Sequence, residues 1–160
     1  MRPLALTALV LASFAISPSP LAAPEFGVNL YGFSYHIDRK DINGHDFNET
    51  NSGIGFRATI QETKRSTSFV EVGYFQDSFD HGARYVSVAY QFKLTQGIHL
   101  GLNLGYYDAP SVLGQVIAPI PTLTFRYRFV ALNLVHMPGF SGLNPYPSFG
   151  GYMTFFVLQG

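Results

Sequence analysis

Three patterns in the chain predict an eight-stranded antiparallel up-and-down transmembrane β-barrel. From Gly27 onward, apolar residues alternate with small or polar ones, which is the period of a strand whose two faces meet different surroundings. The alternating segments are about ten residues long, the length that a tilted strand needs to cross a bilayer. Only 12% of the residues are charged, about half the share found in soluble domains.

The first 23 residues are interpreted as a secretory signal peptide (residues 1–23). Arg2 precedes an apolar run from Leu4 to Ile16, and the segment 17–20 breaks that run with two prolines. Ala22 and Ala23 then supply small residues for cleavage. Because the run is too short to span a membrane, we expect residues 24–160 to form a single barrel domain in the bacterial outer membrane.

The strands differ in how clearly they alternate. In the fifth strand, Leu100, Leu102 and Leu104 alternate with Gly101 and Asn103. The last three strands are predicted at about 119–127, 129–137 and 148–158. Pro119 and Pro121 limit where the sixth strand pairs, because proline cannot donate to a ladder.

The connections alternate in length along the chain. Longer ones follow the odd strands, at 39–51, 80–83, 108–118 and 138–147, and short turns follow the even strands. Bacterial barrels have short periplasmic turns and longer outer loops, so both termini are predicted in the periplasm. A soluble antiparallel barrel also alternates, but with charges outside and apolar side chains inside. The long aromatic apolar face favours lipid on the outside.

The composition excludes several kinds of partner. The chain has 10 basic and 10 acidic residues and no cysteine, so nothing favours nucleic acid, disulfides or thiolate metal sites. The histidines lack metal-ligand spacing and the carboxylates do not cluster, so no metal or other cofactor is expected.

One histidine, one acid and one hydroxyl are predicted at the same rim of the barrel. His36 ends the first strand, and Asp77 and Ser78 end the third. Histidine is a natural base near neutral pH, Asp77 can orient it, and Ser78 can attack or stabilise an oxyanion, which together indicate acyl transfer. The alternative interpretation is that all three are solvated strand ends. Neighbours on a regular strand face opposite sides, so either one of Asp77 and Ser78 is the weaker site candidate or a bulge re-aims it.

Several short motifs, in order along the chain, resemble the lipid A palmitoyltransferase (PagP) family. Phe75-Gln76-Asp77-Ser78-Phe79-Asp80 resembles that family's Phe-x-Asp-Ser-aromatic-Asn segment, and Ser34-Tyr35-His36 is similar to its Thr-Trp-His. Further similar segments are Asn48 to Phe56 (with Gly53-Ile54-Gly55-Phe56), Ile98-His99-Leu100-Gly101-Leu102, Pro119-Ile120-Pro121 and Met137-Pro138-Gly139.

The resemblance implies an enzyme that moves a palmitoyl chain from the sn-1 position of a glycerophospholipid to lipid A. It implies catalytic roles for His36, Asp77 and Ser78, and a monomer that measures the acyl chain in a buried hydrocarbon pocket. It also implies sideways entry of lipid near Pro138 and Pro121.

The remaining expected substrate contacts lie at the pocket floor and the outer rim. The family's small floor residue falls near Tyr85 or Ser87, and a tyrosine there favours a chain shorter than palmitate. Arg39, Lys40 and Arg84 are expected near the lipid A phosphates, with ordinary interfacial anchoring as the alternative. The donor chain length and the acylated position are left open.

A different class of function also fits the pattern. A non-enzymatic small outer-membrane barrel of the OmpX/OmpA type, used in adhesion or envelope integrity, predicts dispensable rim residues and a closed polar interior. A lipid A 3-O-deacylase barrel is disfavoured, because Met137 and Pro138 follow His136 where that family has a His-x-Ser motif.

Overall fold

The chain folds into one closed antiparallel barrel of eight strands in sequence order. The computed structural model describes residues 24–109, 114–139 and 144–157, so the interpretation of residues 1–23 lies outside the described residues. The strands are Phe26–His36 (β1), Gly53–Glu62 (β2), Ser66–Gln76 (β3), Gly82–Lys93 (β4), Ile98–Ala109 (β5), Gly114–Tyr127 (β6), Val130–Met137 (β7) and Ser148–Phe156 (β8). The predicted fold class is confirmed.

The two faces of the barrel have opposite polarity. Large apolar side chains such as Phe56, Val72 and Leu102 are about half exposed on the outside. Inside, Asn29, Gln91 and other polar side chains are completely buried. This is the arrangement of a barrel surrounded by lipid, because a soluble barrel places its apolar side chains inward. Among the described residues, no helix has the length and apolar character to cross a membrane.

Three predicted boundaries are wrong. β4 begins at Gly82, so the second half of the predicted loop 80–83 is strand. β6 begins at Gly114, where it pairs with Ala109 of β5, so the predicted loop 108–118 is mostly strand. β3 ends at Gln76, so Asp77 and Ser78 lie in the turn to β4 and not on the strand. The carboxylate of Asp77 causes this early end, because its Oδ1 accepts the backbone N–H groups of Phe79 and His81, both at 2.9 Å.

A bulge in β1 changes which residues face inward. The register with β8 shifts between Tyr31 and Phe33, at Gly32. The simple alternation of the sequence places Tyr31 on the same face as Tyr35. In the structure Tyr31 points into the lumen, whereas Tyr35 is 51% exposed. The extra residue thus lets Tyr31 and His36 both line the interior.

Among the described strands, neighbouring strands lack ladder pairing in two places. The β1–β2 ladder ends at Tyr31–Gly53, and the β6–β7 ladder begins only at Thr122–Val135. Pro121 lies directly before that point, and proline has no N–H to donate. The prediction that the prolines limit pairing of the sixth strand is therefore confirmed for its β7 side. On its β5 side the ladder continues through both prolines.

Candidate active site in the rim half of the barrel

A mostly apolar cavity of about 350 Å³ occupies the half of the barrel nearest His36 and Asp77, an end called the rim below. Its walls include Phe75, Tyr107 and Ile120. His36, Asp77 and Ser78 all line it. The structure therefore brings together the three residues that the sequence selected.

His36 is the last residue of β1 and only 4% exposed. Its ring stacks on Phe47, with the ring centroids 4.1 Å apart and the planes 16° apart. The buried Nδ1 atom has no hydrogen-bond partner in the described structure. Since an unpaired buried nitrogen is unfavourable, Nδ1 is suited to accept or donate a hydrogen bond when a substrate group arrives. It does not bond to Asp77, so the predicted orienting contact is not made through Nδ1.

The turn after β3 presents Asp77 and Ser78 to the same cavity. Asp77 is 6% exposed and Ser78 is half-buried. Ser78 Oγ lies 3.4 Å from Ser34 Oγ, which places the hydroxyl beside the outer part of β1. The turn continues through Asp80, whose φ of 64° is left-handed. Neighbours on a strand face opposite sides, but Asp77 and Ser78 lie in a turn. Both can therefore line the cavity without a bulge in β3.

Tyrosines close the inner end of the cavity. The hydroxyls of Tyr31 and Tyr85 are 2.5 Å apart, and the Tyr85 ring stacks on Tyr107 at 5.5 Å. Glycine is required opposite Tyr31, because a Cβ at Gly55 or Gly73 would collide with its hydroxyl. Of the two expected floor positions, Tyr85 lines the cavity, while Ser87 is buried one inward-facing step deeper and does not line it.

Beyond these tyrosines, a polar network fills the lumen. Arg57 Nε donates to Glu71 Oε1 at 2.8 Å, and both side chains are almost completely buried. Asn29 and Tyr152 donate to the same carboxylate at 2.9 and 3.0 Å. Asn133 Oδ1 accepts from Arg57 at 3.0 Å. The interior is therefore divided into an apolar hollow half and a polar filled half.

Each basic residue expected at the lipid A phosphates is already paired. Arg39 contacts Glu49 at 2.8 Å, Lys40 contacts Asp46 at 3.1 Å, and Arg84 contacts Asp108 at 2.7 Å. All three basic side chains are more than half exposed. Exposed pairs of this kind contribute only about 0–1 kcal/mol, so an arriving phosphate can compete for the cations.

The loop between β1 and β2 (residues 37–52, called loop 1 below) has a defined turn near its tip. Asp41 Oδ1 accepts the backbone N–H groups of Asn43 and His45, both at 2.8 Å. The hydrogen bond from His45 is the main cause that lowers the pKa of Asp41. The turn is thus held by an ionised carboxylate at neutral pH.

The cavity reaches the unpaired edge between β6 and β7. Ile117 and Pro119 of β6 line it on one side, and Val135 and Pro138 line it on the other. Pro138 therefore lies at the expected side opening. Pro121 marks the end of the gap without lining the cavity.

Sequence reasoning missed Tyr31, Tyr107 and Phe47. Tyr31 was hidden by the bulge, which reverses its face. Phe47 lies in a loop, where no periodicity indicates a contact. Among the described residues, no group of three or more His, Asp and Glu side chains is arranged to hold a metal ion.

No protein-family model matches the chain, and no curated protein matches it. Among solved structures, the barrel is similar to the Yersinia pestis outer membrane protein Ail in a phospholipid bilayer nanodisc. The identity is 13%, the match covers 83% of this chain and 99% of that chain, and the TM-score is 0.46. It is also similar to the crystal structure of Ail, the attachment invasion locus protein, in complex with the heparin analogue sucrose octasulfate. There the identity is 9%, the coverage 84% and 97%, and the TM-score 0.44. At these values the likeness carries no argument about function.

Proposed function

We propose that this protein is an outer-membrane acyltransferase that moves a fatty acyl chain from a glycerophospholipid to lipid A. One observation carries the proposal: an apolar cavity inside a lipid-surrounded barrel has a histidine, a carboxylate and a hydroxyl in its lining at the rim. An acyl chain is the ligand whose chemistry suits such a cavity, because apolar walls bind apolar groups.

The proposed chemistry assigns a task to each of the three side chains. The imidazole of His36 takes the proton from a lipid A hydroxyl, and that oxygen attacks the ester carbonyl of the phospholipid. The ester bond to glycerol then breaks, and the glycerol oxygen receives the proton from the imidazolium. In this direct transfer Ser78 donates to the developing oxyanion, while Asp77 stabilises the charged ring. In the two-step alternative, His36 takes the proton of Ser78, the serine oxygen attacks the donor ester, and the glycerol oxygen leaves with that proton. A lipid A hydroxyl deprotonated by His36 then attacks the acyl-serine ester, and Ser78 regains its proton.

The tyrosines at the inner end of the cavity favour a short donor chain. Tyr31 lies five residues from His36 along β1, but the bulge reduces this to four register steps on β8, a depth of about 9 Å at a rise of about 3.3 Å per residue and a tilt of about 45°. An extended alkyl chain advances about 1.25 Å per carbon, from a bond of about 1.5 Å at a tetrahedral angle. The depth thus corresponds to about seven to eight carbons, which is fewer than palmitate has.

The β6–β7 gap supports entry of the donor from the membrane. Cavity-lining residues on both strands border the gap, so an acyl chain has a path from lipid to lumen that crosses no ladder hydrogen bonds. A monomeric barrel is sufficient for this reaction, with phospholipid and lipid A as its partners.

A non-enzymatic barrel of the OmpX/OmpA type is the second candidate. The observation that favours it is the closed network around Arg57 and Glu71, because this hypothesis predicts a closed polar interior. The pairing of Arg39, Lys40 and Arg84 with carboxylates also fits a rim that has no substrate site for lipid A. In this case the three cavity residues have no catalytic role.

Lipid A analysis in cells separates the two candidates. The wild-type gene and a His36→Ala variant are expressed in a Gram-negative strain without such acyltransferases, and lipid A is measured by mass spectrometry. We expect an added acyl mass with the wild type and none with H36A. His45→Ala is the matched control, because His45 lies in loop 1 away from the cavity and is expected to leave the added mass unchanged. Unmodified lipid A with a folded, heat-modifiable wild-type barrel would favour the second candidate.

A further inference from the structure

We propose that Phe47 is a positioning residue for His36, and that residues 47–49 of loop 1 form a bracket that holds the three cavity residues in place. This inference rests on the proposed acyl transfer. It assigns a role to Phe47, which no pattern in the sequence singles out.

Phe47 is itself held on several sides. Its ring centroid lies 4.1 Å from that of His36, 5.0 Å from that of Tyr146 and 5.4 Å from that of Phe79. The contacts to Tyr146 and Phe79 are steeply inclined, at 63° and 87°, whereas the contact to His36 is nearly parallel at 16°. Offset stacked and edge-to-face geometries are the favoured ones for aromatic pairs. Packing against Tyr146 and Phe79 thus holds the Phe47 ring in place against the imidazole.

The backbone beside Phe47 is tied to both halves of the site. Asn48 N donates to Ser78 O at 2.9 Å, and Ser34 N donates to Glu49 O at 3.1 Å. His36 N also donates to Glu49 Oε1 at 3.4 Å. These bonds lie where β1 has no β2 ladder, so loop 1 takes the place of the missing strand partner.

The stack has a specific task because no hydrogen bond at Nδ1 fixes the ring. The χ2 torsion of histidine is broad, and Nδ1 of His36 is buried without a partner. No hydrogen bond at Nδ1 therefore fixes the plane of the ring, and Phe47 supplies a parallel ring contact that does. A base must hold its nitrogen within hydrogen-bond reach of the proton that it removes. Loss of the stack lets the ring turn away from that position.

Phe47 does not line the cavity, so it has no contact with an acyl chain bound there. A substitution at Phe47 is expected to act on the reaction through His36 and not through donor binding. Such a substitution then lowers kcat and leaves the KM for the phospholipid unchanged.

The test compares Phe47→Ala, Phe47→Leu and Phe47→Tyr in the purified full-length barrel, with a defined glycerophospholipid as donor and lipid A as acceptor. We expect F47A and F47L to lower kcat by about 10- to 100-fold, the scale of a small misplacement of a catalytic group. The KM for the phospholipid and the length of the transferred chain stay unchanged. F47Y keeps the aromatic ring and is expected to restore kcat.

Phe149→Leu is the matched control. Phe149 stacks on His136 at 4.6 Å and 25°, a similar pair outside the cavity lining. We expect F149L to leave kcat unchanged. If F47A does not fold, F47L carries the test, because leucine keeps most of the volume without the ring.

An NMR measurement distinguishes positioning from general stability. Because the two rings are stacked, the ring current of Phe47 is expected to change the chemical shifts of the His36 imidazole protons. We expect this change in the wild type and F47Y but not in F47L. A kcat for F47L within twofold of the wild type, with the shift lost, would overturn the positioning role and leave the proposed function standing. Absence of acyl transfer by the wild type would overturn the proposed function and this inference with it.

Discussion

Tyr85 reaches across the lumen to Tyr31, and the contact of their hydroxyls at 2.5 Å lies where the cavity meets the polar network. The neighbouring stack on Tyr107 holds the Tyr85 ring in place. A side chain in this position limits how deep an acyl chain enters, because both its volume and its hydroxyl partner oppose displacement.

Tyr85→Ala is expected to deepen the cavity and lengthen the preferred donor chain by several carbons. The measurement is the mass of the acyl group added to lipid A when donors of different length compete. Ser87→Ala is the control, since Ser87 does not line the cavity and its removal changes no length. An unchanged chain length in Y85A would show that the tyrosine does not set the limit.

Glu71→Ala is expected to destabilise the barrel strongly. Arg57 would remain buried without its carboxylate, and breaking one partner of a buried pair costs about 3–5 kcal/mol. The free energy of unfolding is measured by urea titration of the barrel in lipid vesicles. The folded fraction is monitored by its heat-modifiable mobility on gels. Glu62→Ala is the control, because Glu62 pairs with Lys93 near the surface. Equal stability of E71A and the wild type would contradict a structural role for the network.

At the residue scale, the sequence predicts some of the residues at the cavity and not others. Residue type, predicted strand ends and a family resemblance select His36, Asp77 and Ser78, which line one cavity. Tyr31 was missed because the bulge at Gly32 shifts its face by one residue, a change that no local propensity reports. Phe47 was missed because its contacts are to residues distant in the chain.

β6 differs from the other strands in how it pairs on its two sides. Its ladder with β5 runs from Gly114 to Phe125, while its ladder with β7 covers only Thr122 to Tyr127. The prolines at 119 and 121 account for this difference, because each removes a donor on the unpaired side. At the height of Pro119, which lines the cavity, β6 and β7 are thus not joined by ladder hydrogen bonds.

The double variant Pro119→Ala, Pro121→Ala is expected to restore these donors and close the gap. Two added ladder bonds of about 1 kcal/mol each would make opening about 5- to 30-fold rarer. Acyl transfer from phospholipid in vesicles is expected to slow by that factor without loss of barrel stability.

Leu123→Ala, in the paired part of the same strand, serves as the control for this variant and is expected to keep the wild-type rate. If the proline variant also transfers at the wild-type rate, donor entry does not use the β6–β7 gap.

At the scale of elements, strand number and order followed from the alternation, but several strand ends did not. The early end of β3 depends on hydrogen bonds of the Asp77 carboxylate, and the early start of β6 depends on pairing with β5. Both are contacts between residues that alternation does not describe.

As a whole, the molecule combines a packed polar half with a hollow apolar half inside one continuous wall. The packed half stabilises the barrel, while the hollow half provides space for a ligand. Alternation alone separates inside from outside, and it cannot tell an empty interior from a filled one. The division appears only when inward residues from several strands are placed at the same height.

The central claim is that the cavity holds the acyl chain while His36 activates the acceptor. The most direct measurement is acyl transfer from phospholipids of defined sn-1 chain length to lipid A in vesicles, by purified wild-type and H36A barrels. Lipid A should gain one acyl group of about seven to eight carbons in preference to palmitate with the wild type, and none with H36A. Transfer at the same rate by H36A, or no transfer by a folded wild-type barrel, would contradict the account.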